Sequence, residues 1–278
     1  MKGSFIARTL TGAVFVAILV GGILGGPITF TVLFASICAL TINEFGNIIS
    51  RSGVAEINKP ISMLASVFLF FGFAYLGISP GNYEILLPYL FIIMYILIRE
   101  LYLKKGNPVN NMAYSLMTQM YIALPFALLN ILAYQSTDAS VASSVYSPVF
   151  PLSLFVFIWV NDTGAYCAGV LFGRHRLFER ISPKKSWEGS FGGCIFSVIA
   201  AYVISLYFPV FSLGQWIGLA LTVVVFGTWG DLVESLIKRR IGIKDSGNIL
   251  PGHGGLLDRF DSTLMAVQAA VLYLYIIS

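Results

Sequence analysis

Nine apolar runs divide this chain, and every lysine and arginine falls on one side of the alternating path they define. Their cores are residues 9–25, 27–43, 61–79, 85–103, 113–134, 149–172, 190–208, 213–236 and 262–278. Each approaches the roughly 17–25 residues a helix needs to cross about 30 Å of hydrocarbon. Lys2 and Arg8 precede the first run, and Arg51 and Lys59 follow the second. Arg99, Lys104 and Lys105 end the fourth; Arg174, Arg176, Arg180, Lys184 and Lys185 follow the sixth. Lys238, Arg239, Arg240, Lys244 and Arg259 lie between the eighth and ninth. The opposite connections carry only Glu84 and Asp138. Basic loops stay on the cytoplasmic side, so the spacing predicts a cytoplasmic N-terminus and an all-α, polytopic membrane fold of about nine transmembrane helices. Pro88 and Pro125 fall inside runs and predict kinks. Gly189 and Gly193 predict close helix packing.

Composition agrees with lipid as the main solvent. Hydrophobic residues make up 57% of the 278 and charged residues 11%, against about 25% charged in a soluble domain. No composition shift divides the chain, so one membrane domain is expected. Residues 1–148 would supply packing or dimer helices, and 149–278 the chemistry. Met1, Lys2 and Arg8 resemble the basic start of a signal peptide. No small-x-small cleavage site follows, and the first run reads as an uncleaved helix. Cys38, Cys167 and Cys194 lie in apolar stretches without metal or disulfide spacing, and two histidines are too few for a His-rich metal centre. A net charge of +4 is modest, and no nucleic-acid partner is expected.

Polar chemistry gathers in the second half, in Asp162, Glu179, Glu188, Asp231, Glu234, Asp245, Asp258 and Asp261. A carboxylate at the centre of a membrane helix costs about 2.5–3.5 kcal/mol, so each one inside a run is a functional suspect. Asp231, Glu234, Ser235 and Lys238 recur at helical spacing and share one face. Asp258 and Asp261 are again three apart. Two such acidic faces make an oxygen-only site suited to a hard cation such as Mg²⁺, or else a set of internal salt bridges with Lys238, Lys244 and Arg259. Between them the stretch from Lys244 and Asp245 to His253, Gly254 and Gly255 is a glycine-rich turn before a helix. It can aim backbone N–H groups at an anion, or simply turn. Asn161 and Asp162 interrupt the sixth run, and Ser182–Gly189 sets Lys184, Lys185, Ser186 and Glu188 around Trp187. That mixture suits a pocket for a polar ligand with a ring, although Trp187 could equally anchor at the interface. His175, without a visible partner, reads as loop surface. Cations, lysines and phosphate-binding backbone suit phosphoryl or nucleotidyl transfer. There is no Walker-type P-loop.

The 27-residue stretch S-L-I-K-R-R-I-G-I-K-D-S-G-N-I-L-P-G-H-G-G-L-L-D-R-F-D, Ser235 to Asp261, resembles the signature of the phosphatidate cytidylyltransferases, or CDP-diglyceride synthases. Asn161-Asp162-Thr163 and Ser182–Gly189 also resemble family segments, with Ser186 where the family often has Thr. The resemblance implies that CTP and phosphatidic acid give CDP-diacylglycerol and pyrophosphate, with Mg²⁺ required. It implies Asp231 and Asp258 as metal ligands with Asp261 close by. A second, monovalent cation such as K⁺ would also fit the family. Lys238, Lys244, Asp245 and Arg259 are then expected in the catalytic group. Asn161, Asp162, Lys184, Lys185, Ser186, Glu188, Glu234, Ser235, Arg239, His253, Gly254 and Gly255 are expected to contact substrate. A homodimer in the bacterial inner membrane, acting at the cytoplasmic side, completes the expectation. Two other readings stand beside it: a CTP-dependent lipid-alcohol kinase, and a transporter that couples ions through intramembrane carboxylates.

Overall fold

A computed structural model describes residues 2–104, 106–135, 144–247, 249 and 254–277; Lys105, Asp138 and His253 lie outside the described residues. Ten helices follow in order. They are α1 (Lys2–Leu24), α2 (Pro27–Arg51), α3 (Lys59–Ile78), α4 (Leu87–Tyr102), α5 (Pro108–Thr118), α6 (Leu124–Ala133), α7 (Val149–Phe172), α8 (Trp187–Tyr207), α9 (Leu213–Ile241) and α10 (Leu257–Ile277). The fold is therefore all-α and multi-pass. Among the described residues eight helical stretches are long and apolar enough to cross a membrane, and Thr9–Leu24 of α1 is a shorter apolar one.

The prolines stand where helical geometry changes. Pro88 occupies the first turn of α4, after a 3₁₀ turn at Tyr83–Leu86. Pro125 opens α6, after a π-helical turn at Gln119–Ala123 that continues α5. A proline lacks the N–H that an internal turn requires, and a change of helical pitch removes that requirement. Asn58 and Asn107 cap α3 and α5, each accepting from backbone N–H groups of the first turn. A reciprocal Ser212–Gln215 capping box starts α9, and Gly242 ends it at φ 78°.

The chain forms two compact units. The first comprises Met1–Pro148 and Asp245–Phe260. Its core holds the buried rings of Phe30, Phe34, Phe45, Phe70, Phe126 and Phe260. Two-residue strands, β1 (Tyr134–Gln135) and β2 (Val145–Tyr146), pair antiparallel, and the Tyr146 hydroxyl donates to the Ile23 carbonyl at 2.6 Å. Several buried polar groups pair with one another. Glu100 accepts from Asn111 Nδ2 at 2.9 Å, while Asn111 Oδ1 accepts the Glu56 N–H at 2.7 Å. Residues 245–260 thus pack with the N-terminal helices, although sequence alone groups them with the C-terminal part.

The second unit comprises Val149–Lys244 and Asp261–Ser278. Here α7 and α8 approach backbone to backbone. A Cβ on Gly189 would stand 2.8 Å from the Ala165 carbonyl oxygen, and one on Gly193 2.8 Å from that of Asn161. The sequence shows no strand, but β3 (Arg176–Phe178) and β4 (Ser182–Ser186) form an antiparallel hairpin between these helices. Replacing Gly192, whose Cβ would overlap that of Ala168, with Val should destabilise the purified protein by about 1–3 kcal/mol through overpacking. Gly214→Ala, where nothing lies within 4 Å, should be neutral or slightly stabilising in the same thermal melts.

Candidate active site

In the second unit, α9 and α10 meet where a side chain is missing. A Cβ on Gly230 would lie 2.5 Å from the Asp261 carbonyl oxygen and 3.2 Å from Ser262 Cα. The bare position lets the two backbones close beside Asp231. Carboxylate oxygens of Asp231, Glu234 and Asp261 consequently lie within 4.8 Å of one another. Like charges this close repel, and cations stand beside them. Lys185 Nζ is 2.5 Å from Asp231 Oδ2, and Lys238 Nζ is 2.5 Å from Oε2 of the fully buried Glu234. Ser235 Oγ donates to Asp231 Oδ1 at 3.2 Å, while Asp261 Oδ1 accepts the Ser262 N–H at 2.6 Å. The expected face of α9 is therefore present, and Glu234 and Lys238 belong to one charged group with Asp231.

Lys185 reaches this group from β4. Its hairpin is clasped to the start of α8. The Trp187 N–H donates to the His175 carbonyl at 2.9 Å, and His175 Nδ1 lies 2.6 Å from Glu188 Oε1. Glu188 also accepts the His175 backbone N–H at 3.2 Å. His175 is loop surface, as the sequence suggests, yet it has a partner. Ser186 is buried and caps α8 by accepting the Gly189 N–H at 3.1 Å, which ties Glu188 and Ser186 to local architecture. A cleft of about 210 Å³ lies alongside, lined by Asn161, Asp162, Tyr166, Lys184, Lys185 and Ser186 among others. Lys184 is exposed, Asn161 buried and Asp162 exposed. Trp187 is exposed on the first turn of α8, 6.4 Å from the Phe191 ring centre, and does not line the cleft.

The glycine-rich segment belongs to the first unit, where two carboxylates occupy its amides. Asp258 Oδ2 accepts the N–H groups of Ser246 and Gly255, both at 2.9 Å. Glu44, buried in α2, accepts Leu256 N–H at 2.9 Å, Leu257 N–H at 3.0 Å and the Ser246 hydroxyl at 2.5 Å. The described amides of Ser246, Gly255, Leu256 and Leu257 thus meet the protein's own carboxylates. Gly254, at φ 83°, has no room for a Cβ against the Asp258 carboxylate. Asp258, expected as a metal ligand, directs Oδ2 to loop amides. Lys244, Asp245, Arg239 and Arg259 are exposed. His253 lies outside the described residues. In sequence Glu44 falls just past the apolar run 27–43 and carries no predicted role. The helix in fact continues to Arg51 and carries Glu44 inward. A carboxylate two turns inside an apolar helix was the signal available.

Residues 6–277 match the model of the cytidylyltransferase family. The chain is 35% identical over 267 residues to the phosphatidate cytidylyltransferase of Staphylococcus haemolyticus (strain JCSC1435), covering 94% of this chain and 95% of the relative. It is 32% identical over 263 residues to that of Staphylococcus aureus (strain COL), with the same coverage. Over 157 residues, 56% of each chain, it is 40% identical to the phosphatidate cytidylyltransferase of Staphylococcus saprophyticus.

The Glu234–Lys238 pair makes a direct prediction. Lys238→Met deprives a buried carboxylate of its cation and should cost about 3–5 kcal/mol of stability. The double variant Glu234→Gln/Lys238→Met should recover most of that loss in denaturation of the purified protein.

Proposed function

The chain belongs to the cytidylyltransferase family, and on that premise we propose that it transfers the cytidylyl group of CTP to phosphatidic acid, giving CDP-diacylglycerol and pyrophosphate. Near full-length likeness to phosphatidate cytidylyltransferases supports the reading. So does the single observation that carries the chemistry, a group of three carboxylates with two lysines at the junction of two apolar helices. The proposal includes a bacterial inner-membrane location, suggested by the staphylococcal relatives, with the site at the cytoplasmic side. It also includes the homodimer that the sequence resemblance implies.

The substrates set the physical problem. A phosphatidate oxygen attacks the α-phosphorus of CTP in line. The bond from that phosphorus to the bridging oxygen breaks, and pyrophosphate leaves with the electron pair. The attacking oxygen is already anionic and needs no strong base; the barrier lies in bringing two polyanions together. Asp231, Glu234 and Asp261 would hold Mg²⁺, since their donor set is oxygen only and compact enough for a hard divalent ion. Bound there, the metal would neutralise phosphate charge and stabilise the leaving group. Lys185, next to Asp231, and Lys184 on the same strand would carry triphosphate oxygens. Asn161 and Asp162 would supply polar contacts in the cleft. In the first unit, Asp258 would order the segment that opens α10. A second cation such as K⁺ remains part of the reading, without residues assigned to it.

Two measurements test this. CTP labelled in cytidine, incubated with phosphatidate and purified protein, should place label in the lipid and release pyrophosphate. Label reaching lipid only from the γ-phosphate would instead identify a lipid-alcohol kinase. Asp231→Asn should lower turnover by at least about 100-fold in a protein that still inserts and melts normally, by loss of charge stabilisation in the transition state. It should also weaken Mn²⁺ binding followed by electron paramagnetic resonance. Unchanged Mn²⁺ affinity would remove Asp231 from the metal group.

A further inference from the structure

Lys185 reaches Asp231 from a strand that its own ladder does not hold. β3 and β4 are in register only at Arg176 opposite Ser186 and at Phe178 opposite Ser182. Between those pairs Leu177 alone faces three residues, Pro183, Lys184 and Lys185. Extra residues on one strand break the ladder and re-aim side chains, and Pro183 has no N–H to give it. A two-stranded hairpin is at best marginally stable by itself. The direction of both lysines is therefore set at the ends of the hairpin.

At the tip, the Ile181 N–H donates to the Phe178 carbonyl at 3.2 Å. At the open end stands Glu188, in the first turn of α8. Its two oxygens share the His175 N–H, each at 3.2 Å, and Oε1 lies 2.6 Å from Nδ1 of the same residue. The Trp187 N–H takes the His175 carbonyl at 2.9 Å. The residue that enters β3 is thus held at its N–H, its carbonyl and its ring by the two residues that follow β4. Helix α8 does not need Glu188 for its start, because Ser186 already caps it. An acid in a first turn suits the helix dipole in several orientations; this one turns back onto the hairpin. The hairpin, α8 and the Asp231 segment of α9 all belong to the second unit, so the path from Glu188 to Asp231 stays inside one compact body.

We propose that Glu188 is a positioning residue for CTP binding: by fixing His175 it holds the open end of the hairpin, and so presents Lys185, paired with Asp231, to the triphosphate. This rests on the cytidylyltransferase reading above, in which Lys185 carries triphosphate oxygens. Sequence alone expects Glu188 to contact substrate. In the structure Lys184, Lys185 and Ser186 line the cleft and Glu188 does not, so its action passes through the strand.

The test is steady-state kinetics of the full chain in lipid nanodiscs, with CTP and phosphatidate varied separately, in wild-type and Lys185→Met backgrounds. Glu188→Ala should raise KM for CTP about fivefold and leave KM for phosphatidate within about twofold. In the Lys185→Met background the same change should move KM for CTP by less than about twofold, because the lysine it positions is gone. His175→Ala, which removes a ring that is 79% exposed, should reproduce the rise in KM for CTP in the wild-type background. A merely structural role would lower the active fraction, and so Vmax, with both KM values unchanged; that result overturns the proposal. A rise of equal size in both backgrounds, with His175→Ala unmoved, means that Glu188 touches CTP itself and also overturns it. Should Glu188→Ala fail to fold, His175→Ala carries the test in both backgrounds, and an unmoved KM for CTP overturns the proposal. Wild-type protein that does not turn over CTP at all defeats the cytidylyltransferase reading and this inference with it. An active wild type with unmoved variants defeats this inference alone.

Discussion

A carboxylate inside an apolar helix persists only where donors or cations replace the water it has lost. That condition governs both units. In the first, Glu44 is met by two amides and a hydroxyl, and Glu100 by Asn111. In the second, Glu234 is met by Lys238 and Asp231 by Lys185. The two solutions differ in kind. Amides are fixed by the backbone and make Glu44 a permanent part of the architecture. Lysine ammonium groups ride on flexible stems, so their carboxylates can exchange partners when another cation or a phosphate arrives.

That difference assigns work to the two groups. The loop-opening amides of α10 would make an anion site if they were empty, because a helix N-terminus favours negative charge. Glu44 and Asp258 fill them, and Gly247, Gly254 and Gly255 allow close approach to the protein's own acids. On the proposed reading, phosphate recognition would then fall to side chains, above all the lysines of the hairpin. Its strands are short, and its order comes from the His175–Glu188 clasp and the Ser186 cap at the start of α8.

Most of the helical framework was legible in the sequence. Apolar runs of spanning length mark the long helices, and eight helical stretches among the described residues match them. The face of α9 was legible too, since Asp231, Glu234, Ser235 and Lys238 sit at helical spacing. Which acids group together was not. That depends on Gly230 admitting the backbone of Asp261, and Gly230 reads in sequence as one glycine among 27. Glu44 escaped because its partners are more than 200 residues away. The hairpin escaped because strands of three and five residues carry no period. Pairing of His175 with Glu188 then follows from that unseen hairpin.

The reaction itself explains why so much of the polar structure is charge management. One phosphoanhydride is broken in CTP and another is formed in CDP-diacylglycerol, so the bond energies nearly cancel and no strong base or covalent intermediate is demanded. What opposes the reaction is repulsion between a lipid phosphate and a triphosphate. Reducing that repulsion requires positive charge that is held in place before the substrates arrive yet free to redistribute as they bind. On the proposed reading, lysines paired with carboxylates would meet both conditions: the acids hold the ammonium groups in place and would surrender them to an arriving phosphate. An arrangement of lysines without acids would repel itself. One of acids without lysines or a bound cation would repel the substrates. The mixed cluster follows from the chemistry as much as from the fold.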